Sequence, residues 1–179
     1  MIICAGNNET FDFATPTGVG LVETAMNVTR LCLFDKPEFL LFVGTAGSYG
    51  EHKIFEIVES KTAANIELAF LQNKAYTPLD NVVSANSEGT KEVIVNSSNY
   101  ITTDDALAKG FLRLGIGIEN MEFFAVLRVA QEFGIPAGGV FCVTNLCNGS
   151  AHADFLANHE KAKALLGDHV KRRIKELVR

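Results

Sequence analysis

Four short segments of this chain carry glycine or polar residues of the kinds that bind small molecules. They are Gly6, the run Gly44-Thr45-Ala46-Gly47, the triplet Asn120-Met121-Glu122, and the pair Thr144-Asn145. A carboxylate accepts hydrogen bonds from neighbouring hydroxyls, an amide bonds a heterocycle, and a glycine turn exposes backbone N–H groups to anions. Because each segment follows an apolar run, we expect all four to meet at the carboxyl ends of strands in one sheet.

The pattern of apolar residues predicts the elements that position these segments. Continuous apolar runs are typical of buried parallel strands, and apolar residues at helical spacing indicate amphipathic helices. In the first helix, Val22, Met26 and Leu33 fall on one face. The predicted strands are 2–5, 39–43, 54–58, 66–71, 92–95, 115–118 and 140–143, and the predicted helices are 18–34, 103–112, 119–133 and 154–177. The sequence therefore predicts one α/β domain, residues 1–179, with the run 44–47 as a tight turn.

The composition excludes several classes of function. A net charge of -5 does not suit a nucleic-acid partner, which requires clustered Lys and Arg. We find no apolar stretch long enough to cross a membrane and no signal peptide before the first strand, so we expect a cytoplasmic protein without a membrane partner. The four histidines lack metal-ligand spacing and the four cysteines lack CxxC spacing, which predicts no metal and buried free thiols. The glycine run also lacks the GxGxxG spacing of a dinucleotide site, so no cofactor is expected.

Three longer segments are similar to a known family. The segment GVGLVETAMNVTRLCLFDKPEFLLFVGTAGS (18–48) resembles the helix, strand and glycine turn of the nucleoside phosphorylase/nucleosidase family, near its purine nucleoside phosphorylases and methylthioadenosine/S-adenosylhomocysteine nucleosidases. IENMEFFAVLRVAQEFGIPAGGVFCVTN (118–145) resembles the family block that contains a Met-Glu pair, and VNSSNYIT (95–102) resembles a stretch with an aromatic residue at the position of Tyr100. Because Gly18 follows Gly6 within a dozen residues, the chain is similar to an N-terminally shortened member. The resemblance implies a three-layer α/β fold whose central sheet is mixed, largely parallel and flanked by helices.

The resemblance also implies roles for individual residues in binding a purine nucleoside. Glu122 would accept hydrogen bonds from the ribose hydroxyls and stabilise the oxocarbenium-like sugar of the transition state. Met121 would lie beneath the sugar, Tyr100 would stack on the base, and Asn145 would bond N7 and a 6-oxo group. The implied substrate-binding residues are Asn120, Met121, Glu122, Tyr100, Thr144 and Asn145, with Glu122 and Asn145 catalytic. The implied phosphate-binding residues are Gly6, Thr45, Ala46 and Gly47. A simpler interpretation makes Met121 a core residue and Glu122 a cap at a helix start.

Three functions are compatible with these segments. The leading prediction is a purine nucleoside phosphorylase, with phosphate as co-substrate and a preference for 6-oxopurines, because Asn145 stands where the bacterial nucleosidases and hexameric phosphorylases of the family carry a proton-donating Asp. The first alternative is a nucleosidase that uses water, and the second is a catalytically idle nucleoside-binding homologue. The family's phosphorylases place an arginine where this chain has Phe42, and its nucleosidases use an early glutamate, near the place of Glu9, to activate water. Arg30 or a neighbouring subunit would have to replace the missing arginine. The resemblance further implies a homodimer or an assembly of dimers.

Overall fold

A mixed sheet of nine strands, flanked by five helices, makes up the part of the chain that the computed structural model describes, residues 1–85 and 92–177. The strands are β1 (Ile2–Cys4), β2 (Thr15–Pro16), β3 (Leu40–Ser48), β4 (Ile57–Ser60), β5 (Thr62–Ala64), β6 (Val82–Ser84), β7 (Ile94–Ser97), β8 (Ile116–Asn120) and β9 (Ala137–Leu146). The helices are α1 (Leu21–Phe34), α2 (Leu68–Leu71), α3 (Asp105–Arg113), α4 (Phe123–Glu132) and α5 (Ala151–Leu177).

The order of the strands places the long strand β3 at the centre of the sheet. Neighbouring strands follow the order β2-β1-β3-β8-β7-β5-β6, and β9 pairs with both β3 and β4. The β1–β2, β1–β3, β3–β9, β5–β7 and β7–β8 pairs are parallel, whereas β3–β8, β4–β9 and β5–β6 are antiparallel. This mixed, largely parallel sheet between helices confirms the predicted fold class.

Adjacent residues of the central strands face two different cores. Phe42 and Phe141 are fully buried with Phe123 of α4, and the three rings lie 5.1–6.2 Å apart between centroids. Their strand neighbours Val43 and Cys142 pack instead with the buried side of α5. Because successive side chains of a strand point to opposite faces, one helix layer covers each face of the sheet.

Several predicted elements are confirmed, although Glu119 and Asn120, predicted to begin a helix, belong to β8. Three further details of the predictions are wrong. Asp104 caps α3 by accepting hydrogen bonds from the backbone N–H groups of Ala106 and Leu107, as its position before the helix predicts. The segment 66–71 contains the short helix α2 rather than a strand. The run 44–47 is not a turn, because β3 continues through it alongside β9 with a shift of register after Ala46.

The third error concerns the apolar face predicted for the first helix. Val22 and Met26 are 65% and 63% exposed in the single chain, whereas Thr24, Val28 and Cys32 form the buried face of α1. Helical spacing alone does not distinguish a face that meets the core from one that stays outside it.

Candidate active site

Every residue predicted for the site lines a single cavity of about 340 Å³. The cavity lies where β1, β3, β8 and β9 end or approach their ends, as expected for an α/β sheet. The predicted residues around it are Gly6, Thr45, Ala46, Gly47, Tyr100, Asn120, Met121, Glu122, Thr144 and Asn145. Tyr100 is 74% exposed. The structure thus brings together segments that are more than a hundred residues apart in the sequence.

Glu122 occupies the position just before α4, but its side chain does not cap the helix. The Oε1 atom accepts a hydrogen bond from the backbone N–H of Gly20 at 3.0 Å, and Oε2 accepts one from the backbone N–H of Met121 at 3.1 Å. The pKa of Glu122 is raised to about 7, chiefly by burial and also by the charge of Glu9, while the Gly20 and Met121 N–H groups oppose the rise. The interpretation of Glu122 as a helix cap is therefore wrong, and its carboxylate belongs to the cavity wall.

Gly20 provides the close backbone approach that Glu122 requires. Its φ of +85° lies in the region that favours glycine, and a Cβ at this position would lie 2.9 Å from Oδ1 of Asn99. Asn99 in turn accepts a hydrogen bond from the backbone N–H of Leu21 at 3.0 Å. The start of α1 is therefore held against the loop after β7 and against Glu122 together.

The side chain of Glu9 contacts the segment that is predicted to bind phosphate. Its Oε1 accepts a hydrogen bond from the backbone N–H of Thr45 at 2.7 Å, and a Cβ on Gly44 would lie 2.9 Å from its Oε2. Burial raises the pKa of Glu9, while the hydrogen bonds from Thr45 and the charges of His159 and Lys163 oppose that rise. The half-buried residue Glu9 thus already accepts the hydrogen bond of one backbone N–H group in the glycine-rich run.

The described residues that line the cavity include no lysine and no arginine. Phe42, where the family's phosphorylases place an arginine, is fully buried in the core between Phe123 and Phe141. Arg30 is exposed on α1 and is not among the residues around the cavity. Within the described part of the chain, the basic side chains at the cavity are those of His152 and His159.

Asn145 and Thr144 are held together at the end of β9. The Thr144 hydroxyl donates to Oδ1 of Asn145 at 2.8 Å, and one Nδ2 hydrogen of Asn145 is donated to the carbonyl of Leu146 at 3.2 Å. An amide nitrogen has two hydrogens, so a second one is left for a ligand. Asn145 is 5% exposed, and its orientation is fixed by these two neighbours.

Two further groups line the cavity that sequence analysis did not identify. On α5, His159 donates from Nε2 to the carbonyl of Asn8 at 3.1 Å and lies 4.7 Å from the Phe155 ring, while its Nδ1 is buried without a hydrogen-bond partner in the described residues. On β8, Glu119 accepts hydrogen bonds from Tyr49 and Thr102. The four-residue spacing of Phe155 and His159 on one helix face was the signal available for the first group.

A match to a protein-family model shows which family the chain belongs to. The sequence model described as the phosphorylase superfamily matches residues 12–175, which is most of the chain. The chain belongs to the phosphorylase superfamily. No curated protein matches its sequence.

Several solved structures share the fold of this chain. A 5′-methylthioadenosine/S-adenosylhomocysteine nucleosidase from Neisseria meningitidis, in complex with methylthio-immucillin-A, has a TM-score of 0.80 at 13% identity, covering 98% of this chain and 97% of that one. A futalosine hydrolase mutant from Helicobacter pylori has a TM-score of 0.80 at 16% identity, with the same coverage. An Asp-to-Asn mutant of the Helicobacter pylori nucleosidase, with 5′-methylthioadenosine in its active site, has a TM-score of 0.78 at 17% identity, covering 91% of this chain and 79% of that one.

None of the described helices is both long and apolar enough to span a membrane. In the same part of the chain, no three His, Cys, Asp or Glu side chains cluster in a way that would hold a metal ion.

Proposed function

We propose that this superfamily member hydrolyses the N-glycosidic bond of a purine nucleoside, with water rather than phosphate as the nucleophile. The observation that carries the proposal is the position of Glu9, whose carboxylate accepts the Thr45 N–H on the segment predicted for phosphate. A phosphate dianion would meet this carboxylate without any lysine or arginine among the described cavity residues to balance the charge. A water molecule, by contrast, can donate a hydrogen bond to Glu9.

The cavity contains a side chain for each part of a hydrolytic step. Glu9 would accept a proton from water as the water oxygen bonds to C1′ of the sugar. The bond between C1′ and the purine nitrogen breaks, its electrons leave with the base, and a proton from solvent neutralises that base. The ionised Glu122 would accept hydrogen bonds from the sugar and favour the positive charge that develops on it. The free N–H of Asn145 would donate to N7 of the departing purine.

The comparisons support hydrolysis only through the shared fold. The similar solved structures are nucleosidases and a futalosine hydrolase, each under 20% identical to this chain. A 6-oxopurine remains the base we favour, because the neutral amide of Asn145 suits an oxo group. Phosphorolysis stays a prediction, and the carboxylate of Glu9 weighs against it.

The proposal is tested by measuring the release of base from inosine, adenosine and 5′-methylthioadenosine in buffer without phosphate. We expect release without phosphate, and a loss of about 100-fold or more in kcat for Glu9→Gln, a typical contribution of a general base. Glu122→Gln should lose at least about 2 kcal/mol of transition-state stabilisation, as expected for a charged hydrogen bond. Glu132→Gln, on the exposed end of α4, is the matched control and should keep full activity. Release that requires phosphate would contradict hydrolysis, and no release from any nucleoside would favour the idle homologue.

A further inference from the structure

Asn120, the last residue of β8, joins Ser97 at the end of β7 to Glu122. Its Oδ1 accepts a hydrogen bond from the Ser97 hydroxyl at 2.8 Å and from the backbone N–H of Phe123 at 3.3 Å. Its Nδ2 donates to Oε2 of Glu122 at 3.2 Å. Ser97 and Asn120 are both buried, with exposed fractions of 0% and 9%. Three side chains from two parallel strands and the following helix start are thus connected in series.

The backbone fixes which way this amide points. The N–H of Phe123 can only donate, so the atom of Asn120 that faces it must be the oxygen. The backbone N–H of Phe124 donates to the Ser97 hydroxyl oxygen at 2.9 Å, which leaves the Ser97 hydrogen free to point at the same oxygen of Asn120. The NH₂ group is therefore left facing Glu122, and these acceptor contacts also satisfy the first free N–H groups of α4.

We propose that Asn120, held by Ser97, is a positioning residue that directs an N–H onto Glu122 and favours the ionised form of its carboxylate within the cavity. The inference rests on the proposed function only for the role of Glu122 in binding the sugar. The hydrogen bond itself is independent of that role. Among the described residues, Glu122 receives three donors, from Gly20, Met121 and Asn120.

Two effects favour the neutral acid of Glu122, and the backbone N–H groups of Gly20 and Met121 oppose them. Burial raises the pKa of Glu122, and Glu9, the carboxylate that faces it from the loop after β1, raises it further. Among the other titratable groups around the cavity, Glu119 is bonded to Tyr49 and Thr102, and His152 and His159 lie on α5. Because the N–H groups of Gly20 and Met121 belong to the backbone, Asn120 is the donor to Glu122 that a substitution can remove.

Asn120→Asp removes this hydrogen bond and adds a negative charge beside Glu122, whereas Ser97→Ala loosens the bond without a charge. The new carboxylate has the same shape and can still accept from Ser97 and from the Phe123 N–H, so the start of α4 keeps its partners. It replaces the N–H that faces Glu122 with an acceptor, which places a second carboxylate against the first. Ser97→Ala removes the hydroxyl that anchors the amide without adding a charge. Asn73→Asp, an exposed position away from the cavity, controls for the added charge.

The direct readout is the titration of the Glu122 carboxyl carbon by ¹³C NMR, with its signal identified by its absence in Glu122→Gln. In Asn120→Asp the two carboxyls titrate as a coupled pair, and the upper midpoint should exceed the wild-type Glu122 midpoint by at least about one pH unit. Ser97→Ala should raise the midpoint by a smaller amount, and Asn73→Asp should leave it unchanged. An upper midpoint in Asn120→Asp equal to that of the wild type would overturn the inference.

Kinetics separate this inference from the proposed function. If the wild type releases base, Asn120→Asp should lose at least tenfold in kcat/KM at pH 7 and recover part of the loss at pH 9, which a purely structural defect would not do. An equal loss at every pH would overturn the positioning role. If no protein releases base but the NMR midpoint rises as described, the proposed function fails and the positioning of Glu122 by Asn120 stands.

Discussion

The ionisation of Glu122 should lower the unfolding free energy of the wild type as the pH rises. The variant Glu122→Gln should lack this decrease. The folded-state pKa of Glu122 is raised from 4.5 to about 7, chiefly by burial. The folded protein therefore holds this proton more tightly than the unfolded chain does. The stabilisation from that proton is fully present below the unfolded pKa and is lost as the pH rises through about 7. Glutamine does not titrate, so the variant lacks this contribution at every pH.

The size of the effect follows from the two pKa values. A difference of about 2.5 between them corresponds to about 3.4 kcal/mol, since one pKa unit is worth about 1.36 kcal/mol. Between pH 5 and pH 8 the wild type should lose about 2.5 kcal/mol of unfolding free energy relative to Glu122→Gln. Glutamine also brings an N–H group against the donors from Gly20, Met121 and Asn120, which costs about 1–3 kcal/mol, but this cost is the same at each pH.

Urea unfolding of both proteins at several pH values between 5 and 8 measures the effect. The quantity to compare is the difference in unfolding free energy between the two proteins, because contributions from other titrating groups cancel to first order. That difference should shift in favour of Glu122→Gln as the pH rises. If the unfolding free energies of the two proteins change with pH by the same amount, the prediction is wrong. Glu122 would then be no harder to ionise in the folded protein than in the unfolded chain.

Three further predictions concern the reaction and the assembly. In Glu9→Gln we expect kcat to fall while KM changes little, because Glu9 is proposed to act on water rather than on the sugar; a change confined to KM would count against that role. The wild type should cleave inosine at least about tenfold better than adenosine, and Asn145→Asp should narrow the ratio, because a protonated Asp can donate to either purine; an unchanged ratio of kcat/KM would remove Asn145 from base recognition. Sedimentation equilibrium should give a homodimer or larger assembly, since Val22 and Met26 leave an apolar face of α1 exposed in the single chain, and a monomer at micromolar concentration would contradict this.

The fold was largely predictable because its strands and helices have strong local signals. Phe42 and Val43 belong to a continuous apolar run that indicates a strand buried on both faces, and Asp104 marks the start of α3. The errors occur where tertiary contacts decide the structure. The small residues of 44–47 suggest a turn, but pairing with β9 extends β3 through them. The outward face of α1 resembles a core face in its spacing alone.

The resemblance predicted which residues line the candidate site, but it did not predict the hydrogen bonds between them. The Met121-Glu122 pair and the glycine-rich run suggested a sugar site and an anion site, and the structure brings these residues together around one cavity. The contact between Glu9 and Thr45 joins residues 36 positions apart, and no spacing in the sequence predicts it. The same is true of Asn120, since its amide direction depends on backbone N–H groups that only the fold brings into place.

The identity of the sugar product in the presence of excess phosphate tests the central claim most directly. Wild-type protein would be incubated with the nucleoside it cleaves fastest, and the sugar would be identified by ¹H and ³¹P NMR. Because the Glu9 carboxylate occupies the segment where phosphate would bind, we predict free pentose and no sugar phosphate. Accumulation of the pentose 1-phosphate would contradict the account and show that phosphate reaches C1′ despite Glu9.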